Sequence, residues 1–279
     1  MKKYSCFDVN FDNHLAHIIL NRPEKRNSMT TEFWKEFPKI ITDINQEGEI
    51  RVIIISSMGP HFCSGLDLSL FQSDLININK EENNKPILLT NYIEILQNAL
   101  SILQDCRIPI ITAVQGACIG GGLDLVCASD IRLGTKDCHF SILETKLGLV
   151  ADIGTFPRLV KLIPDGLVRE LAFTGRNFYS NEAKLSGFLN NVYPNQKNML
   201  EAAFDLAKEI SSNSPMVVYG CKEAIKFSRD HSTEDGLNWI KMWNSSMFNM
   251  KEIEEAFKAK IEKRPGKFNK LPKKITKIG

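Results

Sequence analysis

Apolar positions along this chain recur with two periods, and the changes between them outline the elements. Residues 5–9 and 15–20 alternate or run apolar around Phe11-Asp12-Asn13-His14, a hairpin pattern. Thr30 is placed to cap a helix reaching toward Ile44, with Pro38 marking a bend or weak point inside it. Continuous apolar runs at 52–55 and 108–114 predict buried strands, and shorter runs at 131–133 and 139–142 predict two more. Leu88, Tyr92, Ile95, Leu96 and Leu100 repeat at helical spacing across 87–103, after a polar stretch, 77–85, that reads as a mobile loop. From Thr155 the pattern turns helical, and across 201–261 it is almost wholly so. These alternations predict an α/β core followed by a helical extension, with no linker between independent domains.

One segment breaks the periodicity: Ile119-Gly120-Gly121-Gly122-Leu123-Asp124. Glycines here let the backbone turn sharply and let a ligand approach the amides. A helix starting near Leu123, with the 108–114 strand delivering the glycines, leaves the Gly121 and Gly122 amides free to meet an anion or a developing oxyanion. A plain strand-to-helix turn with an acidic residue in its first helical turn fits the same letters.

Composition narrows the class. The 279 residues, 43% hydrophobic, suffice for a sizeable core. The formal charge is +2, yet 263–277 holds seven basic residues and no acidic one, so the remainder carries about −5. No broad basic face is implied, which argues against a dedicated nucleic-acid binder. Seven cysteines without a CxxC pair predict reduced, buried residues, and five scattered histidines give no metal-ligand spacing. No membrane span, secretory pattern or Ser-Lys-Leu ending is visible, which predicts a cytoplasmic protein without a membrane partner.

Two more carboxylates lie among apolar neighbours: Glu144 in Ile142-Leu143-Glu144-Thr145, and Asp152 in Leu149-Val150-Ala151-Asp152-Ile153-Gly154-Thr155. An apolar setting raises a carboxyl pKa and makes the group a proton carrier near neutrality. A surface position for Glu144 and an N-cap role for Asp152 are the competing readings. Other templates fail. Ser64 lacks a GxSxG frame, residues 116–122 match neither GxxxxGK[ST] nor a full GxGxxG, and Cys63 and Cys118 suit buried filler better than nucleophiles.

Taken in order, these segments resemble the enoyl-CoA hydratase/isomerase (crotonase) superfamily. Asn21-Arg22-Pro23-Glu24-Lys25-Arg26-Asn27 resembles its N-terminal signature, residues 62–68 its first oxyanion loop and 120–130 its second. Within it the chain looks most like the dienoyl-CoA isomerases of fatty-acid β-oxidation, which shift a 3,5-diene to the conjugated 2,4-diene. Those carry an aspartate after the glycines, then a glutamate and an aspartate, matching Asp124, Glu144 and Asp152. The likeness continues through 149–155, Ser228-Arg229-Asp230-His231 and Trp243-Asn244-Ser245-Ser246-Met247.

The resemblance implies a spiral of ββα units over 1–200 holding an acyl-CoA thioester site, a helical oligomerisation region at 201–262 and a basic tail at 263–279. It implies an oxyanion hole from the amides of Leu66 and Gly121, with Gly122 adjacent, and substrate contacts from Ser64, Gly65, Asp67 and Leu68. Glu144 is then the base at C2 and Asp152 the acid at C6, while Asp124 tunes the pair, holds a hydrogen-bond network or merely complements a helix start. Lys25, Arg26 or tail lysines are the candidates to meet coenzyme A phosphates. Coenzyme A belongs to the substrate, and no metal or other cofactor is implied. Homo-trimers or hexamers are expected, with 204–248, including Trp239, Met242, Trp243 and Met247, as either interface or intrachain core. A hydratase of this family is expected to have glutamates at the positions of both Asp124 and Glu144. Hydration, isomerisation of a single double bond, and non-catalytic acyl-CoA or RNA binding are the alternatives.

Overall fold

The computed structural model describes residues 3–70, 80 and 84–275. Most of the polar stretch 77–85 lies outside the described residues. The hairpin forms as expected: β1 (Phe7–Asp12) pairs antiparallel with β2 (Leu15–Leu20), and Asn13 adopts φ 51° at the turn. Next come α1 (Thr31–Glu47), β3 (Val52–Ser57), α2 (Lys85–Asp105) and β4 (Ile110–Val114). Thr30 caps α1 by accepting from the Phe33 amide, Gly48 ends it at φ 74°, and Pro38 does not interrupt it.

β2, β3 and β4 are parallel, continued by β6 (Ile131–Thr135) and β9 (Asn191–Tyr193), giving a six-stranded sheet in the order β1-β2-β3-β4-β6-β9. Both faces are covered, which is why 52–55 is continuously apolar. Ile53 and Ile55 join the main core with α1 and α2, whereas Val52 and Ile54 pack with Met199, Ala203 and Ala207 of α7 (Gln196–Ser211).

A second, three-stranded sheet was legible only in its middle strand, expected at 139–142. It consists of β5 (Ala117–Ile119), β7 (His139–Ser141) and β8 (Phe178–Tyr179). It corrects one expectation, because β5 rather than β4 delivers the glycines. Three residues bounded by Gly116 at φ 56° and Gly120 at φ 54° are too few to show a period. α3 (Gly121–Cys127) follows β5 directly; α4 (Thr155–Leu159), α5 (Asp165–Thr174) and α6 (Ser180–Leu185) lie farther along.

The helical region expected from 201 begins inside α7, which packs on the sheet, so the extension proper is α8 (Pro215–Asp230), α9 (Thr233–Met247) and α10 (Met250–Ile261). Beyond it residues 263–275 of the basic tail fold back onto the end of α1. Leu271 is buried, Lys274 N donates to Gln46 O at 3.0 Å, and Lys270 and Lys273 pair with Glu49 and Glu47. These two lysines meet carboxylates of the chain itself, in exposed pairs. Six of the seven cysteines are buried and all are free, but Cys221 is exposed, against the expectation of general burial. No helix among the described residues is long and apolar enough to cross a membrane.

Candidate active site

Two backbone turns meet at the head of α3. In the first, Met29 N donates to Gly65 O and Asp67 N to Met29 O, at 2.9 and 3.0 Å. Successive amides of extended backbone point to opposite sides, so this pairing turns the Leu66 N–H away from Met29. In the second, Gly120 N is held by Ser141 O, and the Leu123 and Asp124 amides close on Gly120 O. Within the described residues neither the Leu66 nor the Gly121 amide has an intramolecular acceptor. The turns touch: a Cβ on Gly65, at φ +86°, would lie 3.0 Å from Ile119 O and 3.3 Å from Gly121 N. Only glycine admits that approach.

Both turns line one cavity of about 700 Å³, to whose apolar lining α2 contributes Leu89, Tyr92, Ile93 and Leu96. Glu144 and Asp152 lie on the lining. Glu144 sits on a 3-10 turn, Leu143–Leu147, over the glycine bend, so a Cβ on Gly120 would meet its Oε1 at 3.0 Å. Its Oε2 is buried without a partner among the described residues, and burial raises its pKa, with the nearby Asp152 charge adding to the rise. Asp152 is also shifted upward by burial although its side chain reaches the exposed rim. It does not cap the next helix; Gly154 holds that position.

Asp124 stands apart from the cavity lining, 1% exposed beneath the bend. Thr155 Oγ1 donates to its Oδ1 at 2.7 Å, and its Oδ2 has no partner among the described residues. Burial pushes its pKa up to about 7, Thr155 pulls it back, and Glu144 adds to the rise. Three carboxyl groups with raised pKa values therefore surround a bend that presents unengaged amides, an arrangement suited to moving protons beside a carbonyl oxygen.

The remaining expected residues divide. Lys25, Ser64, Gly65, Leu66, Asp67, Leu68 and Gly121 lie on the cavity, whereas Gly122 and Arg26 do not. Gly122 packs against Cys63, and Arg26 contributes its carbonyl, which accepts from Ser64 N. The Asp67 carboxylate accepts from Ser28 Oγ at 2.5 Å and from the Ser69 hydroxyl and amide. These bonds and Arg22 hold its pKa down to about 2, so it braces its own loop. Cys63 and Cys118 are filler as expected, and burial pushes the Cys63 thiol up to about 12. Among the described residues no group of three His, Cys, Asp or Glu side chains is placed to hold a metal ion.

Sequence reasoning missed several supports. Gln97 Nε2 donates to Asp152 O at 2.6 Å, and Thr155 and Met29 hold Asp124 and the Leu66 turn. The only available signal was position: Gln97 shares a helix with Tyr92 and Leu96, and Thr155 follows Asp152 by three residues.

The chain is similar to known proteins over nearly its whole length. The family model described as enoyl-CoA hydratase/isomerase matches residues 10–271. The mitochondrial Delta(3,5)-Delta(2,4)-dienoyl-CoA isomerase of Rattus norvegicus is 40% identical over 263 residues, 92% of this chain and 80% of the relative. The peroxisomal protein of that name from Arabidopsis thaliana is 36% identical over 276 residues, 97% of this chain and 99% of the relative. The crystal structure of an enoyl-CoA hydratase from Bacillus anthracis superposes with a TM-score of 0.86 at 29% identity, covering 95% of this chain and 99% of that one. The fold is thus crotonase-like, with a parallel-stranded sheet and a helical C-terminal region.

Proposed function

Because this chain belongs to the enoyl-CoA hydratase/isomerase family, we propose that it is a dienoyl-CoA isomerase that converts a 3,5-dienoyl-CoA to the conjugated 2,4-dienoyl-CoA in fatty-acid oxidation. The observation that carries the reading is that Glu144 and Asp152 line the same cavity as the unengaged amides of Leu66 and Gly121. Glu144 removes a proton from C2, and the charge moves onto the thioester oxygen. The two amides stabilise that oxyanion where it forms. Asp152 delivers a proton to C6, the double bonds settle at C2 and C4, and the two carboxyl groups end with their protonation states exchanged. Asp124, beneath the bend, acts on the pair through charge rather than contact.

Coenzyme A is part of the substrate, with Lys25 at the cavity mouth as its phosphate partner, and the scheme uses no cofactor. Arg26 lies off the cavity lining and is left out of the scheme. The chain works as a homo-oligomer, a trimer or hexamer. Support comes from α8–α10, where Val217, Ile225, Leu237, Met242 and Phe257 are exposed. Phe204 instead packs within the chain against His17. Trp239 stacks with Phe227 and Trp243, so those rings partly serve the intrachain core. Light scattering coupled to gel filtration reads the assembly. The free cysteines support a reducing compartment, for which we keep the cytoplasm; the two relatives are mitochondrial and peroxisomal by name, and imaging the tagged chain in its own cells separates the three.

The test is incubation with a 3,5-dienoyl-CoA while following the ultraviolet absorbance gained on conjugation. A rapid gain supports the reading. No gain, together with fast water addition to a 2-enoyl-CoA, replaces it with hydration; neither reaction, with tight acyl-CoA or RNA binding, replaces it with a non-catalytic role.

A further inference from the structure

The bend that carries Asp152 is held from behind by a buried cation. Arg158, on α4, is 7% exposed. Its Nη1 donates to Gly154 O at 3.2 Å and more weakly to Ile153 O at 3.5 Å, its Nε donates to Gln104 Oε1 at 2.9 Å, and its Nη2 to Ser101 Oγ at 2.9 Å. Among the described residues every hydrogen-bond acceptor of this guanidinium is neutral, and the carboxyl groups of Asp124 and Asp105 favour its charged form from farther off. Burying a charge is costly, and Arg's planar fork is the side chain able to span several acceptors at once.

The backbone is shaped to admit it. Gly154 sits at φ +140°, and a Cβ there would fall 1.7 Å from Arg158 Nη1. No other residue leaves that space, so bend and guanidinium fit only as a pair. The far anchors lie on α2, where Gln97, Ser101 and Gln104 are spaced by four and three residues and share one helical face. Gln97 adds its own tether to Asp152 O. The neighbouring face of α2 supplies Ile93 and Leu96 to the cavity wall. One helix therefore sets both the wall along which an acyl chain lies and the height at which Asp152 stands.

We propose that Arg158, with Gly154 and Gln97, is a positioning device that fixes Asp152 relative to the acyl wall of the cavity. It rests on the isomerase reading for its effect on turnover, but its geometric part stands without that reading. A cation that merely filled the core would be replaceable at the cost of stability alone. A positioning fork makes turnover fall while thioester binding stays, since misplacing a reacting group by about 1 Å costs on the order of a hundredfold in rate.

The test uses full-length Arg158→Lys, which keeps the charge and loses the fork, and Gln97→Ala, a change at an exposed site that leaves folding intact. The expected results are a fall in kcat of at least about tenfold for Arg158→Lys and severalfold for Gln97→Ala, with octanoyl-CoA affinity within about threefold of the parent. Amide hydrogen exchange without substrate should quicken at 152–155 in both variants and stay unchanged along β3 and β4. Unchanged exchange at 152–155 in Gln97→Ala, or in folded Arg158→Lys, overturns the proposal, as does a kcat within twofold of the parent in both. If the parent protein fails to conjugate the diene, the isomerase reading falls, and the exchange experiment still decides the positioning claim.

Discussion

Asp124→Asn should change how stability depends on pH. The carboxyl group is 1% exposed, and burial carries its pKa from 3.8 to about 7 in the folded protein. Below about pH 4 it is protonated whether the chain is folded or not, and the cost of a buried charge is absent. Between about pH 4 and 7 the unfolded chain gives up this proton while the folded chain keeps it, so stability falls as pH rises. The slope is about 1.4 kcal/mol per pH unit, and over a window of about three units it amounts to roughly 4 kcal/mol. Above pH 7 both states are ionised and the loss is constant. Asparagine never ionises and can still accept from Thr155 Oγ1, so it removes this slope. Urea unfolding of both proteins at matched concentration, at several pH values from 4 to 8, isolates the effect as a difference between them. The stability of Asp124→Asn relative to the parent should climb by about 4 kcal/mol from pH 4 to pH 8. A difference that stays flat or declines with pH would show that Asp124 is ionised throughout and refute the burial argument.

Glu144→Gln should lower kcat by roughly a thousandfold while acyl-CoA affinity by calorimetry stays near that of the parent, since it removes a base and little else. Gly65→Ala forces a side chain into left-handed backbone and toward Ile119 O and Gly121 N. Steady-state kinetics should show turnover down at least about tenfold, by displacement of the oxyanion amides, with a far-ultraviolet spectrum like the parent's. Lys25→Ala should raise KM about threefold at low salt and less at high salt, leaving kcat unchanged, because Lys25 is exposed at the cavity mouth and its charge is screened.

Long elements announced themselves because their periods are long. The cap at Thr30, the doubly buried β3 and the stripe of α2 all follow from local letters. The outer strands of the second sheet did not, since β5 and β8 have three and two residues and take their shape from glycine turns and from pairing with β7. At the site, the glycine bend and the three carboxylates stood out as polar or flexible residues in apolar company. What stayed hidden depends on distant partners: Arg158 reaching Gln104, Gln97 reaching Asp152, and Lys270 and Lys273 finding Glu49 and Glu47. Asp124 and Asp152 illustrate the limit well, because similar apolar neighbours in sequence place one beneath the cavity floor and the other on its rim.

The division of labour between Glu144 and Asp152 is the centre of the account, and solvent deuterium reads it directly. A 3,5-dienoyl-CoA is incubated in heavy water with Asp152→Asn and, separately, with Glu144→Gln, and deuterium at C2 is followed by mass spectrometry. The account predicts that Asp152→Asn exchanges the C2 hydrogen while forming almost no conjugated product, and that Glu144→Gln does neither. Exchange at C2 by Glu144→Gln, with none by Asp152→Asn, would contradict it.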